Sequence, residues 1–224
     1  MPEVQVRPLE LRLPDATVYG DLAVPPQARG LVVFVHGSGS SRHSSRNRFV
    51  AEQLQQRGFA TLLFDLLTEE EDRDYTRRFD IPLLTRRLLD VTAAVRSGTL
   101  LPGPLPIGYF GASTGAAAAL NGAAEPGAQV CAVVSRGGRP DLAMAQLAQV
   151  RAPTLLIVGG DDHDVLRLNQ SAYARLAGTR KLAVVPGATH LFEEPGKLEQ
   201  VARLAGDWFV RHCTGQAAPA ADTQ

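Results

Sequence analysis

Short apolar runs alternate with helix-periodic segments along this chain. That alternation predicts a three-layer α/β fold around a mainly parallel sheet. Residues 4–24 read as two strands joined around Pro14-Asp15-Ala16, which adds an antiparallel N-terminal edge. Three polar turns, carrying Ser113, Asp162 and His190, each follow an apolar run. In open α/β sheets ligands bind outside the carboxyl ends of the strands, where such turns lie.

The elements follow in order. Residues 31–35 form a buried strand leading into His36-Gly37-Ser38-Gly39-Ser40, and residues 46–57 have helical periodicity that stops at Gly58. A strand is predicted over 60–66 and a helix over 80–97, where Pro82 is tolerated in the first turn. Residues 107–110 are the strand before Gly111-Ala112-Ser113-Thr114-Gly115, and the alanine run 116–119 opens the next helix. Strands over 130–135, 154–158 and 182–185 alternate with a helix over 165–177. A last helix runs from near Pro195 to near His212. No repeat or linker interrupts this order. One domain is expected over 1–213, followed by a flexible tail over 214–224.

Composition narrows the functional classes. Hydrophobic residues make up 45% of the 224, enough for a large core, yet no run is long enough for a membrane span. Twenty-three basic and 23 acidic residues cancel, so neither nucleic acid nor a membrane surface is an expected partner. The two cysteines, Cys131 in an apolar strand and Cys213 near the end of the last helix, suggest no disulfide framework. With no basic-then-apolar leader pattern, they point to a reducing cytoplasm.

The three turns carry the chemistry. A hydroxyl is a poor nucleophile until a base takes its proton. A sharp strand-to-helix turn would lift the Ser113 hydroxyl clear of the sheet, at the cost of crowding two residues to either side. Glycine at 111 and 115 removes the Cβ atoms that would clash there. Gly159-Gly160-Asp161-Asp162-His163-Asp164 supplies candidate acids, and Pro186-Gly187-Ala188-Thr189-His190 supplies a candidate base. The order Ser…Asp…His matches one of the known serine-triad layouts. The acidic run also has the look of a metal site, but no second cluster with ligand spacing supports one. No metal or cofactor is expected.

With these motifs in place the chain resembles the α/β-hydrolase superfamily, and within it the small dienelactone-hydrolase-like branch, over about residues 4–213. The resemblance rests on His36-Gly37, the turn around Ser113, Asp162 after the strand ending at Val158, and His190. It implies Ser113 as nucleophile, His190 as base and Asp162 as orienting acid, with Asp161 and Asp164 as rivals for the last role. It also implies backbone oxyanion donors at Thr114 and Ser38 and a packing role for His36, while His43 and His212 face solvent. The branch's namesake enzymes carry cysteine where this chain has Ser113, so their lactone chemistry does not carry over. Residues 36–48 and 135–142 also resemble hydrolase modules that occur beside, or fused to, a phosphoribosyltransferase-like domain.

Two arginine groups flank the expected mouth: Arg42, Arg46 and Arg48, and Arg136 with Arg139. Arginine suits bidentate binding of carboxylate or phosphate, so Arg46 and Arg136 are candidate substrate contacts. Alternatively the group pairs with Asp65, the acidic run 69–72 or Asp141. No insertion is long enough for a cap. Residues 68–79, highly charged, come nearest to a lid. The reading is a serine hydrolase of an ester, thioester or lactone of a small acid, anionic if the arginines line the pocket. The alternative is a non-catalytic or accessory fold that binds a small ligand or a phosphoribosyltransferase-like partner.

Overall fold

The computed structural model describes residues 4–101 and 103–214. The expected tail, 214–224, lies outside the described residues apart from Thr214. Eight strands form one sheet in the order β1-β2-β4-β3-β5-β6-β7-β8. They are β1 (Val6–Arg12), β2 (Thr17–Ala23), β3 (Leu31–Val35), β4 (Ala60–Phe64), β5 (Ile107–Ala112), β6 (Val130–Arg136), β7 (Thr154–Gly159) and β8 (Arg180–Val185). β1 pairs antiparallel with β2, and β2 antiparallel with β4; every later pairing is parallel.

Period-two alternation divides the sheet between two cores. On β3, Val32 and Phe34 face one layer while Leu31, Val33 and Val35 face the other. Helices α1 (Ser45–Gln56) and α6 (Lys197–Cys213) cover the first side through Val50, Leu54, Val201 and Phe209. Helices α3 (Ile81–Arg96) and α4 (Thr114–Ala124) cover the second through Leu84, Leu88, Val91 and the alanines 117–119. Helix α5 (His163–Arg175) joins that layer through Ala172. Strands buried on both faces read as continuous apolar runs, which is why 31–35 and 60–64 stand out in the sequence.

Residues 68–79 fold into a single turn, α2 (Glu69–Asp72), followed by a 3₁₀ turn over Tyr75–Phe79. Thr68 and Glu71 close a capping box at its start. Arg87 of α3, only 1% exposed, holds the segment down. Its Nη2 donates to Glu71 Oε1 at 2.8 Å and its Nε to Asp15 Oδ1 at 2.9 Å. The segment is a strap tied to α3, and no large cap covers the sheet.

Two expectations need correction. Cys131 and Cys213 are joined in a disulfide. Helix α6 packs along β5 and β6, which brings its last residue onto the start of β6, a closeness that spacing along the chain does not disclose. His212 does not simply face solvent. It sits one turn after Trp208 on α6, and the two ring centroids lie 4.4 Å apart. His43, by contrast, is exposed and accepts a hydrogen bond from Arg48 Nη2 at 2.8 Å.

Candidate active site

Ser113 stands between β5 and α4 with φ 50° and ψ −120°, a left-handed backbone that non-glycine residues rarely adopt. Its surroundings explain why the strain persists. The Ser113 amide donates to Arg136 O at 3.2 Å, and its carbonyl accepts from the amides of Ala116 and Arg139 at 3.1 and 3.0 Å. A Cβ on Gly111 would lie 2.5 Å from Ala116 Cα, and one on Gly115 would overlap the carbonyl oxygens of Val35 and His36. Both glycines are therefore demanded by close backbone approach around the turn.

Asp162 is the N-cap residue of α5, and the geometry brings it, rather than Asp161 or Asp164, against the histidine. His190 Nδ1–H donates to Asp162 Oδ2 at 2.6 Å, with the carboxylate side chain 14% exposed. Asp161 and Asp164 are exposed, and Asp164 pairs with Arg167. Several contacts fix the histidine loop. Glu194 Oε1 accepts from the Thr189 amide at 3.0 Å, and Phe192, buried, turns the chain with φ 57°. Gly137 lies under the ring, where a Cβ would come 3.4 Å from His190 Cε1. Among the described residues no group of three His, Cys, Asp or Glu side chains converges as metal ligands.

His36 packs beneath the loop after β3. Its Nδ1–H donates to Gly37 O at 2.9 Å and its Nε2 accepts from the Leu66 amide at 3.0 Å. Burial pushes its pKa down, which suits a neutral ring with one donor and one acceptor. The two residues expected to offer oxyanion donors are themselves in contact: the Ser38 amide donates to Thr114 Oγ1 at 2.8 Å. Gly37 allows this approach, since a Cβ there would sit 3.0 Å from Ser113 Cβ. The Ser38 donor thus has an internal partner that an incoming oxyanion would have to replace.

Ser113 and His190 line one cavity of about 270 Å³, together with Gly37, Ser38, Arg46, Asn47 and Arg136. A larger hollow of about 530 Å³ lies on the far side of Ser40, walled by Tyr19, Arg42, Asp65 and the strap. The smaller cavity, not the larger hollow, is the one lined by Ser113 and His190.

A model of the dienelactone hydrolase family matches residues 16–210. The chain belongs to that family. A crystal structure of a dienelactone hydrolase from Anabaena variabilis superposes with a TM-score of 0.88. Identity is 50% over 94% of this chain and 99% of that one. The esterase Est1E from Butyrivibrio proteoclasticus shares the fold at a TM-score of 0.77 and 16% identity, over 91% of this chain and 98% of its own. Two Mycobacterium tuberculosis proteins provisionally named phosphoribosyl transferases are 64% identical over 202 residues. That match covers 88% of this chain and 44% of theirs, so the chain spans less than half the length of those relatives.

Within this dienelactone hydrolase family member the arginines divide into two kinds. Arg42 pairs with Asp65 and Arg139 with Asp141, as the sequence also allowed, while Arg48 pairs with Asp21, a partner the sequence did not suggest. Arg46 reaches across the mouth to Glu193 at 2.7 Å. Arg136 differs: it is 7% exposed and has no ion pair among the described residues, and its buried Nε, like those of Arg42 and Arg46, has no hydrogen-bond partner. Its guanidinium lies 5.9 Å from the Phe192 ring centroid. Burial, with the like charge of Arg46, pushes its pKa down to about 10. Asn47, missed by the sequence reading, is 2% exposed and its side-chain oxygen has no partner. Its signal was a polar residue on the apolar stripe 47, 50, 51 and 54 of α1. Among the described residues no helix is long and apolar enough to cross a membrane.

Proposed function

We propose that the chain is a serine hydrolase of an ester, thioester or lactone of a small, anionic acid. One observation carries the reading. Ser113 sits on a strained turn in the same cavity as His190, whose far nitrogen is held by Asp162 at 2.6 Å. That hydrogen bond fixes the tautomer in which Nε2 is free to accept a proton and stabilises the imidazolium that results. Ser113 Oγ attacks the substrate carbonyl, and its proton passes to His190. The tetrahedral oxyanion takes the Thr114 amide and displaces the Thr114 hydroxyl from the Ser38 amide. His190 then protonates the leaving group, and water, activated by the same ring, releases the acid from Ser113. Arg136 and Arg46, lining this cavity, favour an anionic acyl group.

The test is hydrolysis of p-nitrophenyl acetate by the folded Ser113→Ala variant. Loss of the nucleophile costs about 10⁶ in turnover in a serine protease. Turnover near that of the unaltered protein would refute the assignment. A second reading has one observation behind it: the M. tuberculosis relatives are more than twice as long and carry a transferase name. On that reading the chain is an accessory module for a phosphoribosyltransferase-like partner, and it would hydrolyse no ester at all. The cytoplasmic location expected from free thiols loses that support, because the two cysteines are paired.

A further inference from the structure

We propose that the first turn of α1, together with Asn47 and Arg136, forms a phosphate-binding subsite inside the active-site cavity. The inference rests on the reading of that cavity as the substrate site. It deepens that reading by naming the anion.

The first turn of α1 forms one wall. Ser44 is its N-cap and accepts from the Asn47 amide at 3.3 Å, and Ser44, Arg46 and Asn47 all line the cavity. A helix begins with amide groups lacking intrahelical partners and with the positive end of its dipole, a combination suited to an anion. Acidic side chains often neutralise that end, but the first turn of α1 contains none.

The second and independent observation is Arg136 at the end of β6, buried and unpartnered in the same cavity, with Asn47 of the turn itself buried beside it. Arg136 keeps its charge at neutral pH, since burial and Arg46 lower its pKa only to about 10. A guanidinium held out of water without a carboxylate is costly, and folded proteins almost always pair such a group. Arg136 has only the Phe192 ring, over which its guanidinium lies 5.9 Å from the centroid, and the repulsion of Arg46. Asn47 adds an amide, 98% removed from solvent, whose oxygen is unsatisfied. The amide nitrogen is not among the buried unpartnered atoms, so it is the end of the amide that can donate into the cavity. Arg46, Asn47 and Arg136 each carry an unsatisfied polar atom and line one small cavity, and an anion there would give their donors the acceptor that the protein withholds.

Donor count and charge favour phosphate over carboxylate. The guanidinium of Arg136, the Asn47 amide, the helix amides and Arg46 offer more donors than two carboxylate oxygens accept. A phosphate group presents three oxygens and up to two negative charges. Arg46 is partly occupied by Glu193, a carboxylate 61% exposed that can move into water as the anion arrives. The substrate implied is an acyl ester that carries a phosphate close to its carbonyl.

Inorganic phosphate is the probe, used on the full chain at constant ionic strength set with chloride. Thermal melting and calorimetric titration are read on the unaltered protein and on Ser113→Ala. Both proteins should melt higher in phosphate, and Ser113→Ala should bind it as tightly as the unaltered chain. Arg136→Met should weaken phosphate binding about 30-fold and, without phosphate, should melt above the unaltered protein, because it removes an unpaired buried charge. Asn47→Leu should weaken binding several-fold. Three results would each overturn the proposal: no stabilisation by phosphate, equal or tighter binding of acetate or succinate, or undiminished phosphate binding by Arg136→Met. Hydrolysis of p-nitrophenyl acetate is followed separately. If it persists while phosphate fails to bind, the subsite falls and the serine mechanism stands; if phosphate binds while no ester is cleaved, the reverse holds.

Discussion

The disulfide gives the most quantitative prediction about this fold. Cys131 lies at the second position of β6 and Cys213 at the end of α6, separated by 82 residues. A cross-link of that span removes conformational freedom from the unfolded chain. Chain-closure entropy for such a loop gives about 15 cal/mol/K, or roughly 4.5 kcal/mol at 25 °C. In a protein of this size each kcal/mol moves the melting temperature by about 2–4 °C. Reduction, or the double substitution Cys131→Ala with Cys213→Ala, should therefore lower melting by roughly 9–18 °C. Catalysis at 25 °C should stay within about twofold. Cys131 sits at the opposite end of β6 from Arg136, five residues or roughly 16 Å along the strand. The assay is calorimetry with and without reductant, beside a thiol titration in denaturant. Two titratable thiols in the unreduced protein, or a melting shift below about 2 °C, would refute the argument.

Further substitutions probe the site and its frame. Asp162→Asn should lower kcat by about 10⁴, as in a serine protease triad, with little change in melting, and steady-state ester hydrolysis measures both kcat and KM. Asp161→Asn and Asp164→Asn should leave kcat within about twofold, because both side chains are exposed and neither meets His190. Gly115→Ala would drive a Cβ into the Val35 and His36 carbonyl oxygens and should cost about 3 kcal/mol or more in denaturant unfolding. The strap should loosen in acid. Burial disfavours ionised Glu71, but hydrogen bonds from Arg87 and Thr68 outweigh it, so the Glu71 pKa lies below its ordinary value. The stability this adds is present above the ordinary carboxylate range and fades as pH falls through the lowered folded value. Hydrogen exchange over 68–79 should rise below about pH 4 before the sheet opens, whereas Glu71→Gln should show faster exchange there already at pH 7.

Much of this architecture was legible because burial leaves direct marks on sequence. Strands covered on both faces appear as unbroken apolar runs, and β3 begins and ends where its run does. The turn at Ser113 was legible for a steric reason. Glycines at 111 and 115 stand where no Cβ fits, and a strained φ at the residue between them follows. Hydrogen-bond partners across the sheet were far less legible. Arg42, Arg139 and Arg136 look alike in sequence, yet two find carboxylates and the third is buried without one. That difference follows from position: Arg136 ends β6 and lines the cavity, where among the described residues no carboxylate pairs with it. The Cys131–Cys213 bond was illegible for a related reason, since it depends on how α6 docks across β5 and β6. The contact between Ser38 and Thr114 likewise belongs to two loops 76 residues apart, and only the packing of Gly37 brings them together.

The central claim is that His190, oriented by Asp162, activates Ser113. Labelling with a fluorophosphonate tests it most directly, because only an activated serine attacks phosphorus. Peptide mapping of the labelled protein should recover the adduct on Ser113 alone, Ser113→Ala should carry none, and His190→Ala should react at least about 10³-fold more slowly. An unlabelled protein with its fold intact, an adduct on another serine, or undiminished labelling of His190→Ala would contradict the account.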